Sequence, residues 1–287
     1  MQAIRGELTW VGGRFQRDLA IILESDRIVE VVASPDLPEG TAVDDWGPVA
    51  IVPGTVNCHG HAFQNLFKGF ADDRPFDEWR DRVLYPFSDD LGGEAIYVGA
   101  LFAFAEGLLA GTTTTVDFFY LHDADNYNAR QVIRAAHDIG IRLVLARAFY
   151  DSDAPTSAPK RYRERAEESA LLLRELAAET SDDVLVSVQP APHSLHAASP
   201  ATIRVALEAA DDLEVPCHLH LAEARYEVDQ VKERYGTTPV RLLHREGLLH
   251  ERLVAVHGVW LDDEELDLLA QAGSAVVHCP GANAFLG

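Results

Sequence analysis

The spacing of hydrophobic positions changes near residue 50. Before it, apolar and polar residues alternate in short runs bounded by Gly, Ser, Pro and Asp, a pattern that favours strands over helices. It predicts strands over Gly6–Val11, Leu19–Glu24 and Arg27–Ala33, with turns at Gly12-Gly13 and Ser25-Asp26 and a loop over Ser34–Gly40. Residues 1–50 therefore read as a small β unit, too small to be stable alone.

Beyond that point, short apolar runs alternate with helical periodicity. Strands are predicted at Val49–Val56, Thr113–Phe119, Arg142–Phe149, Val184–Val188, Pro216–Leu221, Leu253–His257 and Ser274–His278. Between them, helices are predicted over Gly93–Ala110, Asn128–Ile139, Tyr162–Glu179, Ser199 to about Asp211, Glu223–Tyr235, Thr238–Glu246 and Asp262–Ala272. Ser199-Pro200 and Asp262-x-x-Glu265 are helix starts, and Gly140 and Gly273 are helix stops. The charge-dense run Arg161–Glu168 reads as a solvated helical face with i,i+4 pairs. Seven strands alternating with helices force parallel pairing, and the count points to an α/β fold of the (β/α)8 TIM-barrel type over residues 51–287, with its eighth strand still to come.

Composition narrows the function classes. Of 287 residues, 47% are hydrophobic, which is ample for a core despite 46 acidic against 24 basic side chains and a net charge of −22. That charge repels phosphates, so neither nucleic acid nor an anionic membrane is an expected partner. The longest apolar stretch, around Tyr97–Gly111, is shorter than a bilayer span and carries Glu106, so no transmembrane helix is expected. No secretory signal is read in the N-terminal residues. Three cysteines, Cys58, Cys217 and Cys279, make no disulfide framework and fit a cytoplasmic protein.

The candidate chemistry lies in the placement of the 12 histidines. His59 and His61 end the first barrel strand at i and i+2, where alternate side chains share a direction. His218 and His220 repeat that spacing at the end of the fifth strand, so one serves as a ligand and the other as support. Glu223 follows within reach of the same point as a proton carrier. His193 follows the fourth strand, His257 ends the sixth and His278 ends the seventh. All lie at carboxyl ends of strands, which in a barrel converge on the active-site face. Imidazoles suit one divalent ion, Zn²⁺ or alternatively Fe²⁺. A binuclear site in such a barrel often uses a lysine at the end of strand four; here that position reads Val188-Gln189-Pro190, so a single ion is expected.

The segments PGTVNCHGHAFQNLFKGF, EGLLAGTTTTVDF, PHSLH, HLHLAE, AVHGVWL and VVHCPGANAFL occur in an order that resembles the amidohydrolase superfamily, in its cytosine/guanine/adenosine-type aminohydrolase and chlorohydrolase group. The resemblance implies that residues 1–50 are the N-terminal part of a small β-sandwich. It implies that His59, His61 and His220 bind the metal, that Glu223 shuttles protons, and that His257 orients water or polarises the group under attack. By similarity to the methylthioadenosine/S-adenosylhomocysteine deaminases, Trp79, Arg147 and His193 would line the substrate pocket. Ser88 stands where those enzymes place a purine-contacting glutamate, which argues against an adenosine-type substrate.

The implied activity is hydrolytic deamination of a C=N bond in a small nitrogen heterocycle or amidine, with release of ammonia. Chlorohydrolase activity is an alternative, as is a formimidoylglutamate deiminase-like activity suggested by His61–Gln64 (HAFQ). The family also places an aspartate, ligand and general base, at the end of the eighth strand. The chain is accordingly expected to be a C-terminally truncated deaminase, to be completed by a second polypeptide or a homo-oligomeric partner, or to be a non-catalytic binding remnant.

Overall fold

The computed structural model describes all residues except 72, 124, 152–157 and 287. The chain forms two compact units, Met1–Thr55 and Val56–Gly287, so the border falls five residues after the expected one. The first unit holds β1 (Gln2–Arg5), β2 (Leu8–Val11), β3 (Arg14–Gln16), β4 (Leu19–Glu24), β5 (Arg27–Ala33), β6 (Ala42–Asp45) and β7 (Ala50–Ile51). They form two sheets, ordered β5-β4-β1-β6 and β3-β2-β7. Ala3, Ala20 and Ile22 make the small core of the first sheet. The alternation found β4 and β5 to the residue. It missed β1, β3 and β6, which are three or four residues each, too short for alternation to stand out.

The predicted strand Val49–Val56 is two strands. β7 pairs with β2 in the first unit, whereas β8 (Thr55–Asn57) joins the sheet of the second. Pro53 lies between them; lacking an N–H, it cannot donate to a ladder, and the chain changes sheets there.

In the second unit, α1 (Phe76–Trp79) passes through a π-helical turn, Arg80–Leu84, into α2 (Tyr85–Asp89), and α3 (Gly93–Leu109) follows. Strands and helices then alternate: β9 (Thr112–Phe119), α4 (Tyr127–Ile139), β10 (Arg142–Phe149), α5 (Ala166–Glu179), β11 (Val186–Pro192), α6 (Pro200–Leu213) and β12 (Cys217–Leu221). α7 (Arg225–Tyr235), α8 (Pro239–Arg245), β13 (Leu253–His257), α9 (Asp263–Ala272), β14 (Ala275–Val277) and α10 (Pro280–Leu286) complete the described chain. The strands make two sheets, β11-β10-β9-β8 and β12-β13-β14, and every registered pair is parallel. The sheets meet where Ser194 bridges His220 and the His220 N–H donates to the His193 carbonyl at 3.1 Å. Strand order along this arc is thus sequence order, as in a barrel wall.

The helix signals act as read. The Ser199 hydroxyl accepts the Thr202 N–H at the start of α6, Asp262 and Glu265 form a reciprocal capping box on α9, and Gly140 and Gly273 close α4 and α9 in the left-handed conformation. The reading of Arg161–Glu168 as a solvated helical face is corrected. Helix α5 starts only at Ala166, Tyr162 is buried, the Glu164 side chain is covered in its pair with Arg147, and Arg161 donates to the carbonyls of Ser88 and Leu91 and to Asp123. Charge density was mistaken for exposure here, because the partners lie on remote segments. Among the described residues no helix is long and apolar enough to cross a membrane.

Candidate metal centre and active-site cavity

The carboxyl ends of the strands bring His59, His61 and His220 together. Strand β8 stops at Asn57, so His59-Gly60-His61 lies in the loop just beyond it rather than on the strand. One ligand nitrogen from each of the three rings falls within 4.8 Å of the others. His61 Nδ1 donates to the Phe118 carbonyl at 2.7 Å, and His220 Nδ1 donates to the His193 carbonyl at 2.7 Å. These bonds fix the protons on Nδ1 and leave the Nε2 lone pairs for the centre, the arrangement usual for metal-ligating imidazoles. His220 Nε2 lies 3.3 Å from His59 Nε2. Burial, with the neighbouring imidazoles adding, holds His59 and His220 well below the usual histidine range and takes His61 to about 4. Three neutral, convergent imidazoles fit a divalent ion, and the donor set is that of zinc or ferrous iron.

Glu223 and His257 stand beside this cluster. His257 ends β13 with φ +79°, left-handed backbone that a histidine adopts only under constraint. Its Nδ1 donates to Asn283 Oδ1 on α10 at 2.7 Å, and its Nε2 lies 3.3 Å from Glu223 Oε1. Glu223 is not in a helix as expected: it sits in the link between β12 and α7, after Ala222 at φ +51°. Its N–H donates to Glu227 Oε2 at 2.8 Å. Burial pushes the Glu223 carboxyl up, and His257 partly opposes the shift. With Nδ1–H committed to Asn283, His257 Nε2 faces the Glu223 carboxyl as a hydrogen-bond acceptor.

The cluster forms the floor of a cavity of about 350 Å³, which His193 and Trp79 also line. Its walls are aromatic, with Phe76, Tyr85, Tyr120, Tyr150, Tyr162 and Tyr226. Such walls suit a flat ring, and Gln64, donating to the Tyr120 hydroxyl at 2.6 Å, adds a polar edge.

Arg147 does not join them. It is 0% exposed on β10, forms a two-pronged pair with Glu164 at 2.8 and 2.9 Å, donates to Asn126 Oδ1 at 2.9 Å, and is absent from the cavity lining. The expectation of a substrate contact at Arg147 is therefore corrected: a guanidinium deprived of water needs a carboxylate, and Glu164 supplies one. His218 lies one layer below His220 and meets Gln189 Oε1 at 2.7 Å, which makes it the supporting member of that pair. Ser88 is buried against the Tyr162 hydroxyl, and His278 lies near Asn283; neither lines the cavity. Sequence reasoning missed Arg80 and His196, which line the cavity, and Asn283, which holds His257. Asn283 lay within a quoted motif, but nothing in its spacing marked it, because the helix that carries it begins where strand periodicity ends.

The Amidohydrolase family profile matches residues 50–287, and the chain belongs to that family. It is 34% identical over 277 residues to a 5-methylthioadenosine/S-adenosylhomocysteine deaminase of Desulforudis audaxviator, covering 95% of this chain and 60% of the relative. It is 31% identical over 264 residues to a 5'-deoxyadenosine deaminase of Methanothermobacter thermautotrophicus, covering 92% and 59%. A zinc-bound crystal structure of an adenosine deaminase from Xanthomonas campestris superposes with a TM-score of 0.83 at 28% identity, over 99% of this chain and 64% of that one. The zinc complex of an atrazine chlorohydrolase from Arthrobacter aurescens TC1 gives 0.86 at 23% identity, over 100% and 67%, a likeness of fold. The chain spans about three fifths of the length of the curated relatives it matches. These likenesses identify the arc of strands as the wall of an amidohydrolase TIM barrel.

Proposed function

We propose that this chain carries the metal-binding and proton-transfer residues of a hydrolytic deaminase acting on the N=C–NH₂ unit of a nitrogen heterocycle or amidine. The observation that carries this reading is the Glu223–His257 pair, 3.3 Å apart at the rim of three convergent imidazoles. His59, His61 and His220 would hold one divalent ion, for which zinc is the proposed identity. Such an ion supplies Lewis acidity that activates water for attack and stabilises developing negative charge.

The remaining roles fall to the chain itself. Glu223, whose carboxyl burial pushes up, is placed to carry a proton at Oε1 and deliver it to a ring nitrogen as the amino carbon becomes tetrahedral. His257, anchored through Nδ1 to Asn283, keeps that carboxyl oriented and takes its hydrogen bond. The aromatic walls exclude bulk water and hold the ring flat, which preserves the attack geometry. General acid–base help of this kind is worth on the order of 10²–10⁴-fold.

The test is ammonia release by the zinc-loaded chain from a panel of purines, pterins, pyrimidines, triazines and formimino compounds. Glu223→Gln should lower turnover at least about 100-fold while bound zinc is unchanged. A chain that binds no divalent ion, or that works as fast with Gln at position 223, overturns the reading.

A further inference from the structure

Just beyond β11, a hydrogen-bonded chain runs His193–Ser194–His196. Ser194 Oγ lies 3.0 Å from Nδ1 of His193 and 3.0 Å from Nδ1 of His196. Ser194 is fully buried, and its carbonyl accepts the N–H groups of Ala197 and Ala198 at 3.0 and 2.7 Å, so the hydroxyl is fixed between the two rings. A hydroxyl owns one proton. It can donate to one Nδ1 only, and with no third partner for it among the described residues its proton is used only when it donates to one ring and accepts from the other.

The consequence reaches the far side of each ring. A neutral imidazole with its proton on Nδ1 presents a lone pair at Nε2, and one without it presents Nε2–H. Satisfying both 3.0 Å contacts therefore gives the two Nε2 atoms opposite character. Both rings line the cavity, with centroids 5.7 Å apart, and neither Nε2 has a hydrogen-bond partner among the described residues.

We propose that Ser194 couples the tautomers of His193 and His196 so that they present one N–H donor and one nitrogen acceptor to the cavity, a pair that reads the N–C–NH₂ edge of an amidine or aminated heterocycle. That edge carries one acceptor and one donor side by side. An unsubstituted ring, which has acceptors only, satisfies half of the pair and leaves a polar group unmatched. The identification of the ligand class rests on the deaminase reading; the tautomer coupling stands on the three side chains alone.

Long-range ¹H–¹⁵N correlation spectra of the ¹⁵N-labelled chain at pH 7, assigned with His193→Gln and His196→Gln, read the proton position on each ring directly. One ring protonated only on Nδ1 and the other only on Nε2 is the expected result. The same tautomer in both rings, or a doubly protonated ring, overturns the proposal. In the binding arm, 4-aminopyrimidine should bind about tenfold more tightly than pyrimidine, the worth of one matched hydrogen bond. Ser194→Ala should erase most of that preference and Ser194→Thr, which keeps the hydroxyl, should restore it. An unchanged preference in folded Ser194→Ala also overturns the proposal. The spectra need no turnover, so a chain with coupled tautomers that releases no ammonia defeats the proposed activity and not the coupling.

Discussion

Glu227 gives a sharp test of how burial governs protons in this fold. It lies in the first turn of α7, fully buried, with Oε2 accepting the Glu223 N–H at 2.8 Å and Oε1 without a partner among the described residues. Burial, with the Glu223 charge adding, pushes this carboxyl from its ordinary 4.5 up to about 8. A carboxyl whose pKa is raised by folding holds its proton more tightly in the folded state. Its contribution to stability is therefore fully present below about pH 4.5, falls as the unfolded chain ionises, and stops falling above about pH 8, where the folded carboxyl ionises too. At about 1.4 kcal/mol per pH unit over that interval, the loss amounts to at most about 5 kcal/mol.

Glu227→Gln keeps the shape and an oxygen for the Glu223 N–H, and cannot ionise. Relative to the unsubstituted chain, its unfolding free energy should therefore rise by roughly 1 kcal/mol per unit between pH 5 and 8 and level off above that. Urea unfolding at fixed steps from pH 5 to 9, followed by tryptophan fluorescence, measures the difference. Other buried carboxyls, such as Asp117 at about 7, titrate in both proteins and cancel. Stability–pH curves that stay parallel across the whole range would refute the reasoning, because Glu227 would then ionise alike in folded and unfolded chains.

Three further predictions follow from single contacts. Glu164→Gln strips the fully buried Arg147 of its carboxylate and should cost about 3–5 kcal/mol in thermal unfolding; a loss below about 1 kcal/mol would mean that water reaches the guanidinium. His220→Asn should weaken zinc binding by more than about 100-fold in chelator competition, whereas unchanged affinity would place the ion elsewhere. Asp262→Ala removes half of the α9 capping box and should cost about 1 kcal/mol in urea unfolding. Its exposed contacts with Arg241 should add little, so a loss several times larger would disprove the capping account.

What was legible in the sequence was whatever depends on near neighbours. Strand β10 and strand β13 were found to the residue because their apolar runs are bounded by a glycine or a charged residue, and the Ser199 and Asp262 starts because a cap acts within one turn. That the strand-end histidines share one face was legible for a different reason, since parallel strands bring their carboxyl ends together whatever lies between; the choice of His59, His61 and His220 among them came from the family resemblance. Contacts set by distant chain were not legible. Arg147 has the same local look as a residue that meets substrate, and only Glu164, brought back by the segment before α5, shows that it is occupied. Asn283 escaped for the same reason, since its role exists only through His257.

One physical cause sets most of the chemistry of the site. Removing water favours the uncharged form of every titratable group, so the same burial moves the histidines down and the carboxyls up. Neutral imidazoles are the form that ligates a cation, and a protonated carboxyl is the form that can give a proton. A site exposed to water would hold these groups the other way round, with imidazoles that compete for protons and a carboxylate with none to offer. The aromatic walls do more than shape the cavity, because by excluding solvent they favour the uncharged forms that the proposed chemistry would use. A polar substitution at Tyr120 or Tyr226, neither of which is a metal ligand, should therefore act on Glu223 through hydration, lowering its carboxyl toward the ordinary range and shifting the alkaline limb of a pH–rate profile downward. A profile unmoved by such a change, in a chain that still binds zinc, would show that the Glu223 proton is set by His257 and not by the dry cavity.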